Sequence, residues 1–179
     1  MSVKTIIQAP NPIFKHVCAA VSVVDDAVRH VVQDMLDTMA HEQAVGLGAP
    51  MIGVLQRIAV VDLQEGGVSS PIVLINPEII SHSEEKQTFE EASLSFRGIS
   101  AEIARPSSIT VRFLDRDGQP QEMHAEGFLA TVIQHELDYL DGKTYLDHLS
   151  SLKRDMLIKK MIKFNKMHPP HVHGAHCNH

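Results

Sequence analysis

Apolar residues at three- and four-residue steps mark the first regular element of this chain. Val28, Val31, Val32, Met35, Leu36 and Met39 recur with that spacing, which predicts an amphipathic helix over Asp25 to Gln43. Asp25 or Asp26 is placed to cap its start. After a glycine-containing loop at Gly46 and Gly48 the pattern changes to short β-rich runs: Arg57–Leu63, Ile72–Asn76, Phe89–Ser95 and Ser108–Asp115. Asp115-Arg116-Asp117-Gly118 is a turn signal, and it predicts a hairpin with Gln119–Ala125. Helical spacing returns over Gly127–Leu140 through Leu129, Val132, Ile133, Leu137 and Leu140, with Gly142 at the expected stop.

A last helix is expected over Ser150–Met167. Its polar face carries Lys153, Arg154, Lys159, Lys160, Lys163 and Lys166, and Pro169-Pro170 ends it. Residues 168–179 hold five His and one Cys and no apolar periodicity, which reads as a disordered His-rich tail behind a single domain of residues 1–167. Helix, then strands, then helices predicts an α+β fold.

Composition narrows the class. A chain of 179 residues, 44% hydrophobic, is long enough for one real core and unlike a disordered chain. No apolar stretch approaches the roughly 20 residues that span a bilayer. Met1-Ser2-Val3-Lys4 lacks the apolar core of a secretory signal, so a cytoplasmic location and no membrane contact are expected. Cys18 and Cys177 are far apart, which argues against a disulfide framework. The formal charge of −6 argues against whole-molecule nucleic-acid binding, and the basic patch near the C-terminus is local.

Candidate chemistry concentrates in Gln134-His135-Glu136-Leu137-Asp138-Tyr139-Leu140-Asp141-Gly142. A His-Glu-x-x-His helix puts two imidazoles on one face to hold a metal, and the Glu acts as general base toward metal-bound water. Here His135 and Glu136 stand in place, but Tyr139 occupies the second His position. A phenol titrates near pH 10 and is a poor replacement.

Three segments, in order, resemble the peptide deformylase family. Val45-Gly46-Leu47-Gly48-Ala49-Pro50-Met51-Ile52-Gly53 is similar to its G-V-G-L-A-A-P-Q-I-G loop. Glu91-Ala92-Ser93-Leu94-Ser95-Phe96-Arg97-Gly98 is similar to its E-G-C-L-S-x-P-G strand, and the helix above to Q-H-E-x-D-H-L-x-G. Arg105-Pro106 through Asp115, Ala125-Glu126-Gly127 and Leu146-Asp147-His148-Leu149-Ser150 also look like the family. The resemblance implies a deformylase-like α+β domain, its motif-bearing helix packed within antiparallel β-sheets. It also implies removal of N-terminal formyl groups from new polypeptides by an iron, zinc or nickel centre.

Carried over residue by residue, the three ligand positions become Ser93, His135 and Tyr139: one of three survives. A Ser hydroxyl is far less acidic than a thiol, so no metal is expected at this inherited site. Met51 replaces the oxyanion-holding Gln, whereas the backbone N–H of Leu94, the other donor, and the general-base position Glu136 are retained. Val45, Gly46, Leu47, Gly48, Ser93, His135 and Tyr139 are the expected pocket residues. Ala92 for Gly and Arg97 for Pro add two further departures beside the former ligand.

The expectation is therefore a degenerate deformylase-like protein that binds peptides or regulates. The alternative is an active amide hydrolase with Glu136 as base and an altered site for Zn, Fe or Ni. A third reading is a metal-handling protein working through its tail. Tyr139 is expected to fill the emptied space, its hydroxyl bonding Ser93 or Glu136. A Ser93–His135 nucleophile pair is disfavoured, because Glu136 points about 100° away from His135. Expected partners are nascent or N-terminal peptides, with a ribosome contact through the basic helix; the oligomeric state is open.

Overall fold

A computed structural model describes residues 2–169 of the chain. The first helix, α1, spans Asp26–His41, with Asp25 as its cap accepting a hydrogen bond from the Val28 N–H at 2.9 Å. Its apolar stripe buries Val28, Val32, Met35 and Met39. Strands follow at Gly46–Gly48 (β1), Ile58–Val61 (β2), Ile72–His82 (β3), Lys86–Ser93 (β4), Phe96–Pro106 (β5), Ser108–Leu114 (β6) and Pro120–Glu126 (β7). Helices α2, Gly127–Leu140, and α3, Ser151–Met167, complete the order.

Two antiparallel sheets result, β1-β2-β3-β6-β7 and β4-β5. The β6–β7 hairpin closes as its turn residues require. Asp115 Oδ1 accepts from the N–H groups of Asp117 and Gln119, both at 2.9 Å, and Gly118 takes a φ of +78°.

Helix α2 runs between the sheets. Ala130, Val132, Ile133, Leu137 and Leu140 join β2, β3, β6 and β7 in one apolar cluster. Tyr139, on the same helix, belongs to the other cluster with α1, β1, β5 and α3. Buried on both sides, α2 carries its polar residues into the interior, which is unusual and marks where function sits.

Several boundaries differ from expectation for physical reasons. Gly46–Gly48 is a strand, not a loop, because Gly46, Leu47 and Gly48 pair in register with Val61, Val60 and Ala59. Strand β3 continues past Asn76 to His82, with register shifts that let exposed residues stay paired. β4 starts at Lys86 and ends at Ser93. β5 was not foreseen; Ile99, Ala101, Ile103 and Arg105 alternate inward along it, a pattern blurred by a small residue and a charge.

At the end of the chain, Ser150 caps α3. Its Phe164 packs against Gly98 of β5, where φ is +75° and a Cβ would clash with the Phe164 ring. The Arg97 guanidinium lies 5.6 Å from the centre of that ring and donates to the His168 carbonyl at 3.1 Å. The His-rich tail read from the sequence lies outside the described residues, apart from His168 and Pro169.

Candidate active site

A groove of about 1240 Å³ opens between β1, the end of β4 and α2. Val45, Gly46, Met51, Ser93, Leu94, His135 and Glu136 line it, together with Arg97 and Phe164 at its edge. Leu47, Gly48 and Tyr139, expected in the pocket, lie behind its wall with no more than trace exposure. Leu47 points into the core from the β1 pleat, and Tyr139 stacks edge-on to Phe14 at 5.5 Å between centroids.

Of the two hydrogen-bond partners expected for Tyr139, Ser93 and Glu136, the structure shows Ser93. The Tyr139 hydroxyl and Ser93 Oγ are 2.6 Å apart, and Ser93 Oγ also accepts from the Ser95 N–H at 3.2 Å. Burial pushes the Tyr139 phenol well above its ordinary value, so it remains protonated. The nearest flank of Gly48 completes the fit: a Cβ there would come within 3.3 Å of Tyr139 Cβ. Ser93→Ala is expected to cost about 1–3 kcal/mol, because it strands the buried Tyr139 hydroxyl, and Tyr139→Phe less, because the half-buried Ser93 hydroxyl faces the groove and keeps the Ser95 N–H. The double variant is expected to cost less than the sum, which urea denaturation of all four proteins measures.

His135 is held by residues that sequence reasoning left without a role. Its Nδ1 lies 2.7 Å from Glu91 Oε1. Arg105 donates twice to Glu91, Nε to Oε2 at 2.7 Å and Nη2 to Oε1 at 2.9 Å. The same guanidinium reaches Asp138 Oδ2 at 2.9 Å, which also meets His148 Nε2 at 2.8 Å. Burial alone would lift Glu91, yet Arg105 and His135 hold it below the usual carboxylate range. Burial would lower His135, but the Glu91 hydrogen bond and the charges of Glu136 and Glu91 carry it above the usual imidazole value. The one local signal was Arg105, a charge that continues the inward Ile99, Ala101 and Ile103 positions of β5; Glu91 sits on a strand that is mostly polar on both faces.

Glu136 does not touch this ladder. It packs against β1, where a Cβ on Gly46 would fall 2.6 Å from its Oε1. Its Oε2 is buried without a hydrogen-bond partner among the described residues. Burial pushes the carboxyl up to about 7, opposed by His135 and the Gly48 N–H and reinforced by the Glu91 charge. A raised acid stabilises the fold below its unfolded value and loses that contribution as pH rises through the folded one. Glu136→Gln is therefore expected to raise stability at pH 8 by about 1–3 kcal/mol and to change it little near pH 4. Paired urea titrations at the two pH values read this out.

The remaining predicted positions are plainly placed. Met51 is 2% exposed and serves both core and groove wall. Leu94 follows Ser93 at the groove, and its carbonyl accepts from Gln8 Nε2 at 3.1 Å. Ala92, where left-handed strain was conceivable, is absent from the positive-φ residues, so the Gly-to-Ala change costs nothing in backbone strain.

The α+β domain thus presents a His-Glu helix to a groove beside a short Gly-containing strand. The model of the polypeptide deformylase family matches residues 3–155, and the chain belongs to that family. A relative from Rickettsia conorii named peptide deformylase-like is 60% identical over 174 residues, covering 97% of this chain and 95% of the relative. A peptide deformylase from Rhizobium meliloti is 42% identical, covering 93% and 96%. The crystal structure of a peptide deformylase from Legionella pneumophila superposes with a TM-score of 0.88 at 37% identity, covering 96% of this chain and all of that one. One from Ehrlichia chaffeensis in complex with actinonin gives 0.87 at 36% identity, covering 94% and 99%.

The donor chemistry at the inherited metal position does not fit the ion of such an enzyme. Two neutral hydroxyls bonded to each other stand beside a single imidazole. A thiolate and two imidazoles supply most of the affinity in sites of this kind. Among the described residues, no group of three His, Cys, Asp or Glu is placed to hold a metal.

Proposed function

We propose that this chain is a deformylase-family protein that has given up metal-dependent deformylation and kept the groove as a binding site for peptide N-termini. The observation that carries the reading is the 2.6 Å Ser93–Tyr139 hydrogen bond, which joins two neutral hydroxyls where a cation would need anionic or imidazole donors. Met51 supports it, since a thioether cannot donate to a developing oxyanion; the loss of one such donor costs about 10²–10³ in rate. The deformylase-like name of the Rickettsia conorii relative, beside relatives named peptide deformylase, is in keeping with it. In this reading Glu136 and the Leu94 N–H are inherited parts that now serve recognition.

The lysine-rich outer face of α3 is the proposed contact to the ribosome. The site of action is the cytoplasm, and the domain is residues 1–167 followed by a His-rich tail. No helix among the described residues is long and apolar enough to cross a membrane.

One observation favours a second reading. With Nδ1 engaged by Glu91, His135 has Nε2 left for a ligand, and Glu136 is poised near neutrality as a base. That reading is an altered metallohydrolase holding Zn, Fe or Ni. Formyl-Met peptide hydrolysis and elemental analysis separate the two, run on the full chain and on a chain ending at Met167. Chelator-sensitive hydrolysis with stoichiometric metal in the shortened chain overturns the binding reading; its absence in both chains supports it.

A further inference from the structure

A second cavity, of about 520 Å³, shares no lining residue with the groove. The turn at Pro12–Lys15, the turn at Tyr145–His148 and helix α3 enclose it. Phe14, Phe96, Leu146, Ile158 and Met161 form its wall, and all but Ile158 are buried. The Phe14 and Phe96 rings meet at 5.8 Å between centroids, and Tyr139 and Tyr145 back them edge-on at 5.5 and 5.9 Å. Braced from behind, these side chains are not free to collapse into the space before them.

The mouth of this cavity is charged, and its charges do not cancel. Lys15 and Arg154 border it, against the single carboxylate of Asp147. That carboxylate is already engaged. Its Oδ2 accepts from the Thr144 N–H at 2.8 Å in a capping box, and its Oδ1 meets Arg154 Nη1 only at 3.5 Å. Arg154 Nε and Nη2 and the Lys15 ammonium have no partner among the described residues. An apolar interior under two cations suits an anion with a hydrocarbon body. We propose that this cavity binds a carboxylate carrying a medium-length alkyl chain. The chain lies along Phe14, Phe96, Leu146, Ile158 and Met161, where the thioether adapts to a flexible ligand. The head is forked by the Arg154 guanidinium, with Lys15 beside it. The site is independent of the peptide-groove reading, since neither cation borders the groove.

The test is isothermal titration calorimetry on the full chain at pH 7.5 with octanoate, butanoate, octan-1-ol and octylammonium. Octanoate is expected to bind about tenfold more tightly than octan-1-ol, with octylammonium weaker still. Each buried methylene is worth about fourfold, so butanoate is expected to be weaker by about a hundredfold. Lys15→Met combined with Arg154→Met is expected to erase the preference for the carboxylate and to leave octan-1-ol binding unchanged. Ile158→Trp fills the mouth and is expected to abolish octanoate binding. Octanoate that fails to bind, that binds no more tightly than octan-1-ol, or that binds equally well to Ile158→Trp overturns the proposal. Should Ile158→Trp not fold, the ligand series on the unaltered chain and on the double variant still decides the matter. Loss of peptide binding at the groove leaves this result untouched.

Discussion

Replacing Ser93 with Cys, Tyr139 with His and Met51 with Gln is expected to create a chain that takes up one divalent ion and hydrolyses a formyl-Met peptide. The prediction follows from the donor inventory. Cys at position 93 supplies a thiolate at the end of β4, and His at 139 supplies an imidazole one turn along from His135 on the same helix face. The second imidazole is smaller than the phenol it replaces, so the pocket between Phe14 and Gly48 accepts it without overpacking. Glu136 is already beside the position and near neutrality, as a general base requires.

Restoring Gln at 51 is expected to contribute about 10²–10³ in rate beyond the two ligand changes. Metal content by elemental analysis and initial rates with and without chelator measure both parts. A triple variant that folds but stays metal-free would mean that the ligand side chains are not what separates this chain from its catalytic relatives.

Arg105→Met is expected to be the most destabilising single substitution in the molecule, at about 3–5 kcal/mol. The guanidinium is buried and joins Glu91 of β4 to Asp138 of α2, so its removal takes the arginine from two carboxylates at once and leaves Glu91 with His135 alone and Asp138 with His148 alone. Adding Glu91→Gln is expected to recover part of the loss, because one of the two charges is then gone.

The pH dependence has a definite sign. Burial would raise Asp138 and Glu91, but their partners hold both below the ordinary range. Such groups add stability above their unfolded values and lose it as pH falls through the folded ones. The gap between the Arg105→Met variant and the parent should therefore narrow in acid. Urea titrations at pH 7 and pH 3 check the size and the trend.

What could be read from the chain followed local chemistry. The bounds of α1 and α2 and the β6–β7 hairpin came from spacing, a capping Asp and an Asp-Gly turn, each of which acts over a few residues. The Ser93–Tyr139 contact was readable because a family pattern brings positions 46 residues apart to one point. β5 was missed because its inward face mixes Ile with Ala and a charged Arg105, so its alternation is not one of hydrophobicity. The Glu91–Arg105–Asp138 ladder was missed for a related reason. Each member alone looks like a solvated charge, and only the antiparallel register of β4 on β5, with α2 laid across them, makes them partners. Leu47 was placed at the pocket because the motif is contiguous, whereas a pleated strand sends it to the side opposite Gly46; Gly48 shares the side of Gly46 but is covered there by Glu136 and Tyr139.

The seat of Phe164 on Gly98 has a mechanical consequence. The groove edge at Arg97 and the final helix meet through a ring pressed on bare backbone, backed by a guanidinium that also grips the chain beyond the helix. Such a joint has no slack. A tilt of the last helix would therefore bear directly on the lip of the cleft, which ties the aperture to the seating of that one ring.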